Sequence, residues 1–158
     1  MRTLFILLFF MNILSSCQQK PAAFAEEKAL PAQTHVNIAY GNDSLQKMDI
    51  YLPANRTTVT TKSLVLIHGG GWTSGSKADF VGFIDSLKAR LPDYAIFNIN
   101  YRLVNGGNLF PTQEKDVKAA VDFITAKAAE YHINKDKLSL LGFSAGAHLA
   151  LLQAYKYA

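Results

Sequence analysis

The sequence predicts an α/β domain: a mostly parallel sheet opened by an antiparallel hairpin, with helices on both faces. Three observations carry that expectation. Ser63 to Ile67, Tyr94 to Ile99 and Lys137 to Leu141 are short, largely apolar runs, as strands covered on both faces should be. Stretches with helical spacing separate them, and strand, helix, strand in succession gives right-handed crossovers and parallel neighbours. Thr34 to Tyr40 and Leu45 to Leu52 alternate in part around Gly41-Asn42-Asp43, the pattern of a hairpin.

Taken in order, the chain begins with Met1-Arg2-Thr3 and an apolar run from Leu4 to Leu14. That is the layout of a secretory signal, and the run is too short to span a bilayer. Leu14-Ser15-Ser16-Cys17 resembles the lipobox of bacterial lipoproteins, which implies a signal peptide over residues 1–16 and lipid attachment at Cys17. The protein is then expected to be exported and anchored to a cell-envelope membrane. Cleavage after Ala25, in Ala23-Phe24-Ala25, is a competing site that would leave a soluble secreted or periplasmic protein. Residues 17–33 are polar, carry Pro21 and Pro31, and read as a flexible tether, with a helix over Ala23 to Leu30 as the alternative. The folded domain is expected over residues 34–158.

Within it, Pro53 to Lys62 is a polar loop, and the strand Ser63 to Ile67 runs into His68 and three glycines. Ser76-x-x-Asp79 supplies a helix start, and Phe80, Phe83, Ile84, Leu87 and Leu91 repeat at helical spacing as far as Pro92. Pro111 opens a long amphipathic helix with Val117, Ala120, Val121, Ile124, Ala128 and Tyr131 on one face. The last helix, after Ser144, is apolar on most sides and is expected to be deeply packed.

Composition excludes several function classes. The 158 residues are 49% hydrophobic, an ordinary globular balance, and the net charge of +4 is scattered with no basic stripe, so nucleic acid is not an expected partner. One cysteine rules out a disulfide or a cysteine metal site in the folded part, and no dinucleotide fingerprint or paired-histidine cluster suggests a cofactor or metal.

The chemistry concentrates at the carboxyl ends of the strands, where open α/β sheets bind ligands. Gly142-Phe143-Ser144-Ala145-Gly146 places a serine on a strand-to-helix turn whose neighbours lack bulky side chains, so Ser144 reads as a nucleophile. Gly69, Gly70 and Gly71 expose backbone N–H groups; Gly70, Gly71 and Ala145 are the candidate oxyanion donors. A phosphate loop fits less well, because Lys77 falls one residue late for a Walker pattern beginning at Gly70.

His68-Gly69-Gly70-Gly71-Trp72, Tyr101-Arg102-Leu103, Phe110-Pro111 followed by Asp116, and Gly142 to His148 together resemble the α/β-hydrolase fold. More closely they resemble its bacterial esterase branch, related to hormone-sensitive lipase and to feruloyl and acetylxylan esterases. The likeness covers about Val36 to Leu152; Ala147 departs from it, where many members have a second glycine. It implies a serine carboxylic-ester hydrolase working through an acyl-enzyme, with short-chain acyl esters of carbohydrates as the substrate class. His68 and Trp72 would support the glycine loop. Asp116 would pair with Arg102.

In that family the triad acid and histidine follow the nucleophile in the chain, and only twelve residues follow Gly146. His35 and His132 are expected too far from Ser144, His68 within the loop, and His148 packed beside the sheet. The chain therefore reads as an N-terminal piece of a longer hydrolase, its domain truncated after the nucleophile helix and inactive and poorly soluble alone. An amidase, formamidase or peptidase of the same fold, and a non-catalytic surface lipoprotein acting as a binding module, remain open readings.

Overall fold

The computed structural model describes residues 29–157. The expected signal peptide, the expected lipid attachment at Cys17, the competing cleavage after Ala25 and most of the expected tether lie outside the described residues. Five strands form one sheet: β1 (Gln33–Ala39), β2 (Lys47–Leu52), β3 (Lys62–Ile67), β4 (Tyr94–Ile99) and β5 (Leu138–Gly142), in the order β1-β2-β4-β3-β5. The pairs β1/β2 and β2/β4 are antiparallel, whereas β3 is parallel to both β4 and β5. The hairpin and the three parallel strands thus stand where the apolar runs put them.

The folded region begins earlier than Thr34. The Asn55 N–H donates to the Leu30 carbonyl at 2.8 Å, and the buried Arg56 guanidinium donates to the Pro31 carbonyl at 2.6 Å. Leu30 to Gln33 are held by these bonds rather than forming the end of a tether.

Alternation along the strands splits the core in two. On one face Met48, Ile50, Val65, Ile67, Phe97 and Ile99 meet α2 (Thr112–Ala126), α3 (Ala128–Tyr131) and α4 (Ala145–Lys156). On the other, Leu64, Leu66 and Ile96 are covered by Phe80 and Ile84. Helices therefore lie on both faces.

Three helices differ from expectation. The capping box is present, with the Ala78 N–H donating to Ser76 Oγ at 3.1 Å and the Ser76 N–H to Asp79 Oδ2 at 3.2 Å. It opens a 3₁₀ segment, Lys77–Phe83, which becomes α-helical only at α1 (Ile84–Arg90). Gly82, which weakens an α-helix by about 1 kcal/mol relative to alanine, sits at that junction. The single long helix from Pro111 is broken at Lys127 into α2 and α3; the Thr125 hydroxyl donates back to the Val121 carbonyl at 2.9 Å, a bond that bends helices. Finally, α4 is not packed on most sides. Ala145, Gly146, Leu149 and Gln153 are buried, while Leu151 is 56% exposed. The reason lies in its support: β5 is the edge strand, and among the described residues no element covers its outer side.

Candidate active site

Ile67 and Gly142 are register partners, so β3 and β5 deliver their following loops side by side. The β5 loop is a single sharp turn. Ser144 stands at φ 53° and ψ −116°, a conformation that costs a non-glycine residue about 1–3 kcal/mol and persists only where the surroundings impose it. Here they do. A Cβ on Gly142 would meet the Gly146 carbonyl oxygen at 2.2 Å, and one on Gly146 would meet the Ile67 carbonyl oxygen at 2.1 Å. The Phe143 N–H donates to the Ile67 carbonyl at 3.2 Å, so the turn is fastened to the end of β3, with Ser144 exposed above it.

The β3 loop arrives at the same point. A Cβ on Gly69 would lie 3.3 Å from the Ser144 Cβ and 2.8 Å from the Phe143 carbonyl oxygen, so backbone passes directly against the serine. Gly70 (φ 102°) and Gly71 (φ 57°) follow, both in the left-handed region and both exposed. Among the described residues neither of their N–H groups donates within the chain, and Ala145, the first residue of α4, has no intrahelical acceptor. Three free donors therefore occupy the segments that meet at Ser144.

What braces the loop is largely buried. The ring of His68, 1% exposed, stacks on Tyr101 with centroids 4.2 Å apart and planes 7° from parallel. Its Nδ1 donates to the Gly69 carbonyl at 2.8 Å, while Nε2 is buried without a partner. Burial pushes the imidazole below its usual value, so His68 is a neutral brace. The Tyr101 hydroxyl donates to the carbonyls of His68 and Gly69 at 3.1 and 3.2 Å, and burial pushes it up to about 12.

Behind Tyr101, Arg102 and Asp116 form the expected pair. Arg102 Nη2 donates to Asp116 Oδ1 at 2.6 Å and Nε to Oδ2 at 2.9 Å, a bidentate contact with a carboxylate that is fully buried. The Arg102 N–H and the Gln46 amide complete its shell at 2.9 and 2.8 Å. That hydrogen-bonded carboxylate raises the Arg102 guanidinium above its ordinary value.

The histidines divide as follows. His35 is on β1 at the far edge of the sheet, and His132 caps α3 at φ 52°. His148 departs from expectation: its exposed ring meets the Trp72 indole edge-on at 5.4 Å and does not pack beside the sheet. It sits one turn into α4, its backbone N–H donating to the Ser144 carbonyl at 3.2 Å. Trp72 and His148, with Val104, Phe110 and Gln113, line an apolar cavity of about 390 Å³. Among the described residues no imidazole or carboxylate hydrogen-bonds the Ser144 hydroxyl, and no cluster of three His, Cys, Asp or Glu could hold a metal.

Sequence reasoning missed Gly69 as the residue in contact with Ser144, and it did not see that Lys77, Asp49, Asn98 and Asn100 join below the loop. Only the polar residues inside two apolar strands could have signalled the second.

The BD-FAE family profile matches residues 48–158, most of the chain and every segment of this site. The chain belongs to the BD-FAE family. Among curated proteins it is 32% identical over 114 residues to a probable isoprenylcysteine alpha-carbonyl methylesterase of Arabidopsis thaliana, covering 72% of this chain and 23% of that protein. Of solved structures, a bifunctional GH43-CE protein of Bacteroides eggerthii is 38% identical with a TM-score of 0.63, over 75% of this chain and 17% of that one. A truncated carbohydrate esterase from gut microbiota is 26% identical with a TM-score of 0.57, over 75% and 41%. These likenesses establish the α/β-hydrolase fold for this BD-FAE chain. It spans about a quarter to a third of the length of the curated relatives it matches.

Proposed function

We propose that this chain carries the nucleophile and oxyanion site of a carboxylic-ester hydrolase, with Ser144 as nucleophile. The carrying observation is the forced turn at Ser144 pressed against the backbone at Gly69, with unused N–H groups on either side. The Ser144 oxygen adds to the ester carbonyl while a base takes its proton; the resulting oxyanion is held by the N–H groups of Gly70, Gly71 and Ala145. One such donor lowers the barrier by about 3 kcal/mol. The tetrahedral centre then expels the alcohol, which takes the proton, and water repeats the sequence on the acyl-serine. The base and its acid partner come from other parts of the full-length protein. His68 and Trp72 hold the loop, and Arg102 and Asp116 hold the segment behind it.

Acyl esters of carbohydrates are the proposed substrates, supported by the carbohydrate esterase among the structural relatives. In the full-length protein, Ser144→Ala should lower kcat on p-nitrophenyl acetate by a factor on the order of 10⁶, and a fluorophosphonate probe should label the parent and not the variant. Labelling of the alanine variant would refute the assignment.

The protein is further proposed to be exported and held at the envelope membrane by acyl chains on Cys17. Support comes from the apolar run ending just before the one cysteine of the chain, and several acyl chains suffice for stable anchoring. Metabolic labelling with a palmitate analogue should mark the parent and leave Cys17→Ser unlabelled; equal labelling of both excludes Cys17.

A further inference from the structure

The glycine loop needs an anchor at its far end. Gly70, Gly71, Trp72 and Gly75 all have positive φ, a sequence of conformations with little intrinsic preference to stay in place. Its near end is fixed by Tyr101, and its middle by the Val104 N–H, which donates to the Trp72 carbonyl at 2.8 Å. Beyond Gly75, Ser76 is held only within its own capping box, and Lys77 is the first residue tied to the sheet, which holds every one of its polar groups. Its N–H donates to Asn100 Oδ1 at 2.6 Å, its carbonyl accepts from Asn98 Nδ2 at 2.7 Å, and its Nζ donates to Asp49 Oδ2 at 2.6 Å.

The cost of this arrangement shows that it is not incidental. Asp49 and Asn98 are register partners on β2 and β4, on the face otherwise covered by Leu64, Leu66 and Ile96. Asp49 is 5% exposed and Asn98 fully buried. Removing a charge and an amide from water is unfavourable unless both are paired, and apolar residues of similar volume would serve stability at least as well. Fixing Lys77 at three points sets the position of a chain end; apolar packing would not.

We propose that Asp49 is a positioning residue for the oxyanion loop, acting through Lys77. Its other oxygen accepts the Asn37 N–H at 2.8 Å, at the irregularity in β1, which fixes the carboxylate itself. Together with Asn98 and Asn100 it ties the far end of the loop to β2 and β4, and β4 runs directly into Tyr101, which holds the near end. The inference rests on the ester-hydrolase reading, and it predicts that loosening Lys77 harms the transition state, where the loop donors act, more than substrate binding.

The test uses the full-length protein with p-nitrophenyl acetate and variants Asp49→Asn, Lys77→Met and Asn100→Ala. Each should lower kcat ten- to a hundredfold with KM within about twofold, and slow fluorophosphonate labelling by a like factor. Lys62→Met, which breaks the exposed Lys62–Asp93 pair at the opposite end of β3, should leave both constants unchanged. A purely structural role would shift the thermal midpoint and leave kcat of the folded variants at the parent value. Should Asp49→Asn fail to fold, Asn100→Ala decides, since it frees only the Lys77 N–H at a half-buried position. Parent-like kcat in that variant, or a loss carried by KM, overturns the proposal. A parent protein without turnover would instead remove the ester-hydrolase reading beneath it.

Discussion

Gly146→Ala should severely destabilise the domain with a single added methyl group. The new Cβ would fall 2.1 Å from the Ile67 carbonyl oxygen and 2.5 Å from that of His68, and both are backbone atoms of the strand end that carries the glycine loop. Neither can turn aside as a side chain would. Helix α4 must then lift off β3 or the loop must move, and an overpacked core site of this kind costs about 3 kcal/mol or more. Urea unfolding of the full-length protein should show the loss, and turnover should fall with it because Ser144 and the donors are displaced together. Gly82→Ala provides the contrast: no atom lies within 4 Å of the position its methyl group would take, so stability should hold or rise by up to about 1 kcal/mol. Equal behaviour of the two variants would show that helix and loop are not packed as described.

Removing Arg102 should cost more than neutralising Asp116, although each breaks the same ion pair. Arg102→Leu leaves a carboxylate that is 1% exposed with only the Gln46 amide and one backbone N–H, and an incompletely compensated buried charge costs about 3–5 kcal/mol. Asp116→Asn leaves a guanidinium that is 27% exposed and can recruit water, so its cost should stay near 1–2 kcal/mol. Comparing urea midpoints of the two variants checks the order; a costlier Asp116→Asn would mean that the carboxylate is not the group the fold must protect.

Much of this was legible because periodicity and glycine carry direct physical meaning. The three apolar runs became the parallel strands, the Gly-x-Ser-x-Gly spacing became a turn at positive φ, and Ser76 with Asp79 became a capping box. The Arg102–Asp116 pair was expected from the place of Asp116 at a helix start beside the Tyr101-Arg102 loop, and it is present. Other features depend on contacts that one-dimensional patterns do not hold. The break at Lys127 turns on a local back-bond from Thr125, and the exposure of Leu151 follows from the place of β5 at the sheet edge. His148 was misplaced because helical spacing gives a face but not the indole that face meets. Asp49, Asn98 and Lys77 escaped because they come together only when β2 pairs with β4 across the order β1-β2-β4-β3-β5.

The pairing of Ile67 with Gly142 also fixes a timetable. On a ribosome, β3 emerges early and gains β4 as a neighbour, but its other side waits until Leu138 to Gly142 have been made. At roughly 5–20 residues per second that is an interval of several seconds, during which an apolar strand presents free backbone groups to any passing chain. The turn at Ser144 is therefore completed only after β3 and β4 have both been translated. Through that window the open side of β3 can pair with another chain as readily as with β5, well before Ser144 has anywhere to sit.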